Sequence, residues 1–230
     1  MNQVSFQDVY QTEVAPSFEI GQRASTPDGR EWQYVKANAA ISNTFAVVPV
    51  AFTAEDLWSS SQDNQGRNVY LSRAASSMTI GAFAQGIGIV DAGTGSGQTF
   101  KIQTNNGTTL TLYPETALAT ALAVADSDLT FGVMSLVTPA AVTSKVQMCQ
   151  GGNQVAFSAS DYGWILTNGD GRVMTGGALT VGGGFITGDD TAGQVIAATT
   201  NVGSLEQQTL GYAITAGATD AGALVRWITR

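Results

Sequence analysis

A chain of 230 residues, 43% hydrophobic and only 12% charged, has enough apolar material to bury a core and too little charge for disorder, which pairs low hydrophobicity with high charge. Its net charge is −8 and its ten basic residues are scattered singly, which excludes the clustered Lys and Arg that contact with nucleic acid or an anionic membrane requires. With one cysteine, Cys149, and no histidine, it has no internal disulfide and lacks the commonest general base and metal ligand.

The 27 Gly against 5 Pro point to many tight turns. Residues 1–10 are polar and include Asp8, unlike the basic start and apolar run of a signal peptide. No stretch approaches the ~18 apolar residues of a membrane helix. A protein made and assembled in a reducing cytoplasm is expected. Residues 1–30 are irregular, broken by Pro16, Pro27 and the Asp28-Gly29 turn signal. They read as an extended N-terminal arm ordered by a neighbouring subunit, because alone the segment buries too little to offset its ordering entropy. The body, residues 31–230, opens with EWQYVKA (31–37), where Trp32, Tyr34 and Lys36 alternate with Glu31, Gln33 and Val35 as in a half-buried strand. FAVVPVAF (45–52) is a second strand, with Pro49 marking an edge or bulge. TAEDLW (53–58) reads as a short helix with Thr53 as its N-cap and Asp56 three residues on. A polar loop over 59–65 follows.

Residues 68–74 and 87–90 read as strands, and residues 91–97 as a Gly-rich loop. TFKIQT (99–104) and TTLTLY (108–113) alternate at period two around Asn105-Asn106-Gly107, which is the pattern of a β-hairpin. Residues 114–125 hold a helical turn or two, and 131–137 and 145–149 are extended. YGWILT (162–167), NGDG (168–171) and residues 172–175 read as strand, turn, strand. Further short strands fall at 178–181, 194–198, 210–214 and 224–229, with a Gly loop at 182–184. Turn signals about every 8–12 residues predict an all-β sandwich or barrel with short helical turns. Subdivisions of the body are placed near 75, where turns become denser, and near 150, at Gly151-Gly152.

Chemistry is sparse. Ser-His-Asp and Cys-His sites are excluded, and Cys149, within VQMCQ, reads as a buried, inert thiol. The Gly-rich segments lack the Gly-Lys-Ser/Thr that opens a phosphate-binding helix. Asp126 with Asp128, or Asp189 with Asp190, offer carboxylate pairs for calcium or glycoside hydrolysis, although solvated turns are the simpler reading. Trp32, Trp58, Trp164 and Trp227 could form a sugar-binding platform, but the core or a subunit interface suits them better. Trp32, Tyr34, Trp164 and Trp227 are the candidate anchors. No catalysis, cofactor or metal is expected.

Six segments occur in order: IGQRASTPDGREWQYVKANAAI (20–41), GQTFKIQTN (97–105), LTLYPETALATAL (110–122), DYGWILTNGDG (161–171), TAGQV (191–195) and LGYAITAG (210–217). Together they resemble virion structural proteins of tailed phages, particularly marine and cyanobacterial ones, and among these the capsid decoration, or cement, proteins. The resemblance implies a shell-bound protein without an active site, on the outer surface of the head, whose partners are the major capsid protein and further copies of itself, as a homotrimer at local threefold positions. The acidic charge fits the outside of a DNA container. The alternative is a glycan- or receptor-binding virion module such as a head fibre or tail component.

Overall fold

The computed structural model describes residues 2–75, 77–124, 126–133, 135–140, 149–187, 191–198 and 209–229. The fold is all-β. Helix among the described residues is confined to α1 (Phe6–Val9) and a 3-10 turn at Pro114–Thr116, and no helix is long and apolar enough to cross a membrane. In chain order the strands are β1 (Asn2–Gln3), β2 (Thr12–Glu13), β3 (Arg23–Ser25), β4 (Glu31–Ala37), β5 (Ala46–Pro49), β6 (Thr53–Glu55), β7 (Ser59–Gln62), β8 (Asn68–Ser72), β9 (Ile87–Ala92) and β10 (Thr99–Asn105). There follow β11 (Thr109–Leu112), β12 (Asp128–Gly132), β13 (Leu136–Pro139), β14 (Gly151–Asn153), β15 (Tyr162–Thr175), β16 (Gly184–Thr187), β17 (Val195–Ala197), β18 (Gly211–Ala213) and β19 (Ala221–Ile228). Two compact units divide them. Unit 1 is Met1–Pro49 with Ser135–Arg230, and unit 2 is Val50–Met134.

Unit 1 contains two five-stranded barrels in tandem. In the first, β15 pairs with β4, β4 with β13, β13 with β5, β5 with β14, and β14 closes back on β15. In the second, β15 pairs with β17, β17 with β16, β16 with β18, β18 with β19, and β19 closes on β15. Each ring has one parallel pair at the same place, β4–β13 or β15–β17. The registers agree as well: Val137 lies between Ala37 and Pro49, and Val195 between Thr175 and Thr187. The long strand β15 serves both rings, its residues 162–168 pairing with β4 and 168–175 with β19.

A motif used four times produces this likeness. Residues 35–49, 151–165, 173–187 and 211–225 share one course: strand end, bend, buried bridge residue, tight turn, second strand. Their bridge residues meet in pairs, Ile41 with Phe157 and Leu179 with Gly217. Within each pair the tenth residue of one motif donates its N–H to the third residue of the other, reciprocally. These bonds run from Thr44 to Asn153 (3.0 Å), Ser160 to Ala37 (2.9 Å), Gly182 to Ala213 (2.8 Å) and Asp220 to Thr175 (2.7 Å). The tenth residue is left-handed every time, with φ 64°, 72°, 78° and 56° at Thr44, Ser160, Gly182 and Asp220. An L-residue held there loses roughly 1–2 kcal/mol. Gly182→Val, with nothing within 4 Å of the added Cβ, should therefore lower stability by about that amount. Ser160→Gly should leave it unchanged or raise it by up to about 1 kcal/mol. Thermal melts check both.

The first barrel is filled by Val35, Ala37, Ile41, Val47, Val137, Phe157 and Ile165. Val173, Phe185, Val195, Ala213, Ala223, Val225 and Trp227 are buried in the second. Residues 2–30 join unit 1 directly. β1 runs parallel to β3, β3 pairs with β4, and β2 pairs with β15. Ser5 caps α1, accepting from the Asp8 N–H while the Asp8 carboxylate reaches back to Ser5. Val4, Val9 and Ala24 pack onto Trp32, Tyr34 and Trp164. This segment, assigned from sequence to a neighbour's surface, thus already has partners within the chain.

Unit 2 is an all-antiparallel sheet in the order β6-β12-β9-β10-β11-β8-β7. Its core gathers Trp58, Leu71, Val90, Phe100, Ile102, Leu110, Leu129 and Phe131. The β10–β11 hairpin is the one the sequence predicts, and the Asn106 side chain accepts the N–H groups of Thr108 and Thr109 across its turn. The unit lies in the connection from β5 to β13, where the second barrel has only residues 188–194 between β16 and β17.

Several local expectations are corrected. Residues 53–58 are not helical: Thr53–Glu55 pairs with β12, and Leu57 at φ 62° interrupts any helical course. The polar stretch after it is β7, an all-polar edge strand that offers no sticky surface to another sheet. NGDG is not a reversal. The chain runs straight through it, with Gly169 at φ 111° beside Arg30. The glycine loop at 182–184 ends by entering β16. Of the expected extended stretch 145–149, all but Cys149 lies outside the described residues.

Candidate functional surfaces

The four candidate anchors are core residues of unit 1. Trp32, Tyr34 and Trp227 are 0% exposed and Trp164 is 1% exposed, so none of them is available to a partner. Alternation on β4 puts Trp32 and Tyr34 on one face, and Trp164 pairs with Tyr34 from β15. Phe18 packs edge-on against both Tyr34 (5.3 Å) and Trp164 (5.1 Å). Tyr10 meets Trp32 at 5.8 Å, and the Trp32 indole N–H donates to Thr26 Oγ1 at 3.2 Å. The Arg30 guanidinium lies over the rings of Phe6, Tyr10 and Trp32 and donates to the Tyr10 hydroxyl at 2.8 Å. Trp227 stands perpendicular to Phe185 at 5.2 Å and leans on Gly152, where an added Cβ would come within 2.3 Å of its ring. Trp58, in unit 2, is equally buried.

One polar group inside this aromatic layer ties down the N-terminal segment. The Tyr34 hydroxyl donates to Glu13 Oε1 at 2.7 Å and accepts the Ser17 N–H at 3.2 Å, while Ser17 Oγ donates to Glu13. Burial raises the Tyr34 pKa well above 10, and the bond to Glu13 raises it further. A tyrosine harder to ionise when folded contributes stability that is complete below its unfolded pKa near 10 and is lost as pH rises past it, by up to about 1.4 kcal/mol per pH unit. Alkaline unfolding should accordingly be shallower in Tyr34→Phe than in the wild type between pH 10 and 12, a difference that denaturant melts at stepped pH measure. Cys149, 4% exposed, has its thiol pushed up to about 12 by burial, which opposes thiolate formation.

The acidic candidates do not assemble. Asp126, exposed, accepts Thr94 Oγ1 at 3.1 Å and Asp128 begins β12. Asp189 and Asp190 lie outside the described residues. No group of three or more Asp, Glu or Cys side chains among the described residues is placed to hold a metal. A charged crevice does occur in unit 1, lined by Asp28, Arg30, Asn168, Asp170 and Arg226, but its charges are paired, Arg30 with Asp28 at 2.6 Å and Arg226 with Asp170 at 2.7 Å.

The exposed surfaces that sequence reasoning missed are apolar sheet faces. In unit 2, Ile87 and Ile89 point outward from β9 and are each 37% exposed. With Phe52, Thr99, Lys101, Thr116 and Thr130 they line an open groove of about 380 Å³. The signal was present in IGIV (87–90), where apolar residues occupy both parities of one strand.

No family model matches the sequence, and a search of curated proteins gave no significant match. A comparison with solved structures aligned the chain with the head fibre gp8.5 N base of bacteriophage phi29. The alignment covers 85% of this chain and 92% of that one, at 11% identity and a TM-score of 0.31. Likeness at that level fixes neither the fold nor the role of this chain.

Proposed function

We propose that this chain is a non-catalytic structural protein of a tailed-phage virion, bound to the outer surface of the head, where it clamps major capsid protein subunits and stabilises the shell as a homotrimer. The observation that carries this reading is the ordered set of six sequence segments, residues 20–41 through 210–217, which resemble capsid decoration proteins. A charge-poor, acidic chain with polar edge strands is consistent with close lattice packing outside a DNA container. A clamp that binds only the assembled shell stabilises it by mass action, and many weak contacts on a symmetric lattice add up to firm retention. The test is to strip or delete the protein from particles and heat them. A lowered rupture temperature and premature DNA loss support the reading, and unchanged values in otherwise intact particles overturn it.

A second reading, a receptor- or glycan-binding head fibre or tail module, draws on the open groove of unit 2. It loses its first support, a tryptophan platform, because all four tryptophans are buried. Saturable binding on a glycan array, abolished by Ile89→Asp, would favour it.

A further inference from the structure

The barrel duplication sets two equivalent outer faces side by side in one chain, one covered and, among the described residues, one bare. In the first barrel the face carries the cross-strand pairs Trp164–Tyr34 and Leu166–Trp32. Residues 2–24 lie over it, with Val4, Val9, Tyr10 and Phe18 on the rings and the Glu13 carboxylate on the Tyr34 hydroxyl. Through the shared register, the same two pairs in the second barrel are Leu224–Arg172 and Arg226–Asp170. Here Leu224 is 39%, Ile228 39%, Ile214 38% and Tyr212 51% exposed. On β19, Leu224 and Ile228 alternate with buried Ala223, Val225 and Trp227. No described segment plays on this face the part that residues 2–24 play on the first.

The electrostatics say what would cover it. In a chain of net charge −8 this face carries Arg172 and Arg226; Arg226 is already bonded to Asp170 at 2.7 and 3.0 Å, and the nearby Asp28 is paired with Arg30. Arg172 stands where the first barrel has Tyr34. Its guanidinium lies along Gly222, and it forms no ion pair among the described residues. A carboxylate arriving as Glu13 does on the first barrel would meet a cation instead of a phenol. The covering segment of the first barrel has the matching chemistry: residues 2–20 contain Asp8, Glu13 and Glu19, no Lys or Arg, and the aromatic residues Phe6, Tyr10 and Phe18.

We infer that the outer face of the second barrel, around Leu224, Tyr212 and Arg172, is a docking site for an extended acidic segment bearing aromatic side chains, supplied by another polypeptide. The inference stands on the barrel duplication and does not depend on the capsid reading. The chain's own N-terminal segment is engaged on the first barrel, so among the described residues the second face is the open one. The contact combines apolar burial under Tyr212, Leu224 and Ile228 with one charge pair at Arg172.

The experiment uses the full chain and, as probe, a labelled synthetic peptide of residues 2–20. Saturable binding by fluorescence anisotropy is expected, weakening with salt. Arg172→Glu should weaken it about tenfold by replacing an attraction with a repulsion, and Leu224→Asp should remove it. Both positions are solvent-facing, and circular dichroism confirms that the variants are folded. Slowed amide exchange in β19 on adding peptide to the wild type locates the site without any substitution. Three results overturn the inference: no saturable binding, binding indifferent to both substitutions with no protection in β19, or a wild-type oligomer in sedimentation that Leu224→Asp dissociates, which would give the face to a second copy.

Discussion

Trp164→Ala should lower the unfolding free energy by about 3–5 kcal/mol, the usual loss for a large aromatic removed from a packed site. Leu224→Ala, at the equivalent position of the second barrel, should cost less than about 1 kcal/mol, as surface substitutions do. The two residues occupy the same place in the same strand pairing, opposite Tyr34 and Arg172 respectively. They differ in what lies over them. Trp164 is 1% exposed beneath Phe18, whereas Leu224 is 39% exposed. Urea unfolding followed by far-UV circular dichroism measures both. Similar losses would mean that the second face is covered as fully as the first.

Gly211→Ala and Gly151→Ala should each be destabilised by about 3 kcal/mol or more, at or beyond the upper end of overpacking costs, and should accumulate poorly as folded protein. These glycines open β18 and β14, the corresponding strands of the two barrels. A Cβ on Gly211 would stand 1.8 Å from the carbonyl oxygen of Arg226, and one on Gly151 2.4 Å from that of Leu166. Both obstacles are backbone in the neighbouring strand, so relief requires breaking the β18–β19 or β14–β15 pairing that closes the ring. Gly222→Ala is the control, because its Cβ would meet only the end of the Arg172 side chain, which can swing away. Thermal melts of the three variants should separate the first two from the third. A Gly211→Ala protein that melts with the wild type would rule out the close approach between β18 and β19.

The parts of this fold that are legible in the sequence are those set by neighbours along the chain. The hairpin of β10 and β11 follows from alternation and an Asn-Gly turn, and the strand over 31–37 follows from period-two patterning. The barrel duplication is not legible in that way. Its four motifs have in common an alanine at the sixth place, Ala40, Ala156, Ala178 and Ala216, and beyond that a backbone course held by reciprocal main-chain bonds, which impose little on side chains. β1, β2 and β3 are two or three residues long, too short for any period to show, and each is fixed by partners elsewhere in the sequence. For Trp32, Tyr34, Trp164 and Trp227, aromatic content predicts burial somewhere. Only the path of residues 2–24 decides that the outer face of the first barrel is inside. Leu224 and Ile228 were open to recognition, because AGALVRWI (221–228) is apolar at both parities and a strand of one barrel has only one interior.

β15 turns the two barrels into a single beam. Tandem domains are ordinarily joined by a linker that yields first when the molecule is pulled or twisted. Here the joint is the middle of a strand, gripped by six residue pairs to β4 on one side and eight to β19 on the other. Bending one barrel against the other means shearing a hydrogen-bond ladder, which resists as a whole rather than bond by bond. A load applied at either end passes into the other without a linker between. Such a part keeps its two barrels at a set spacing, and under strain it transmits displacement instead of absorbing it.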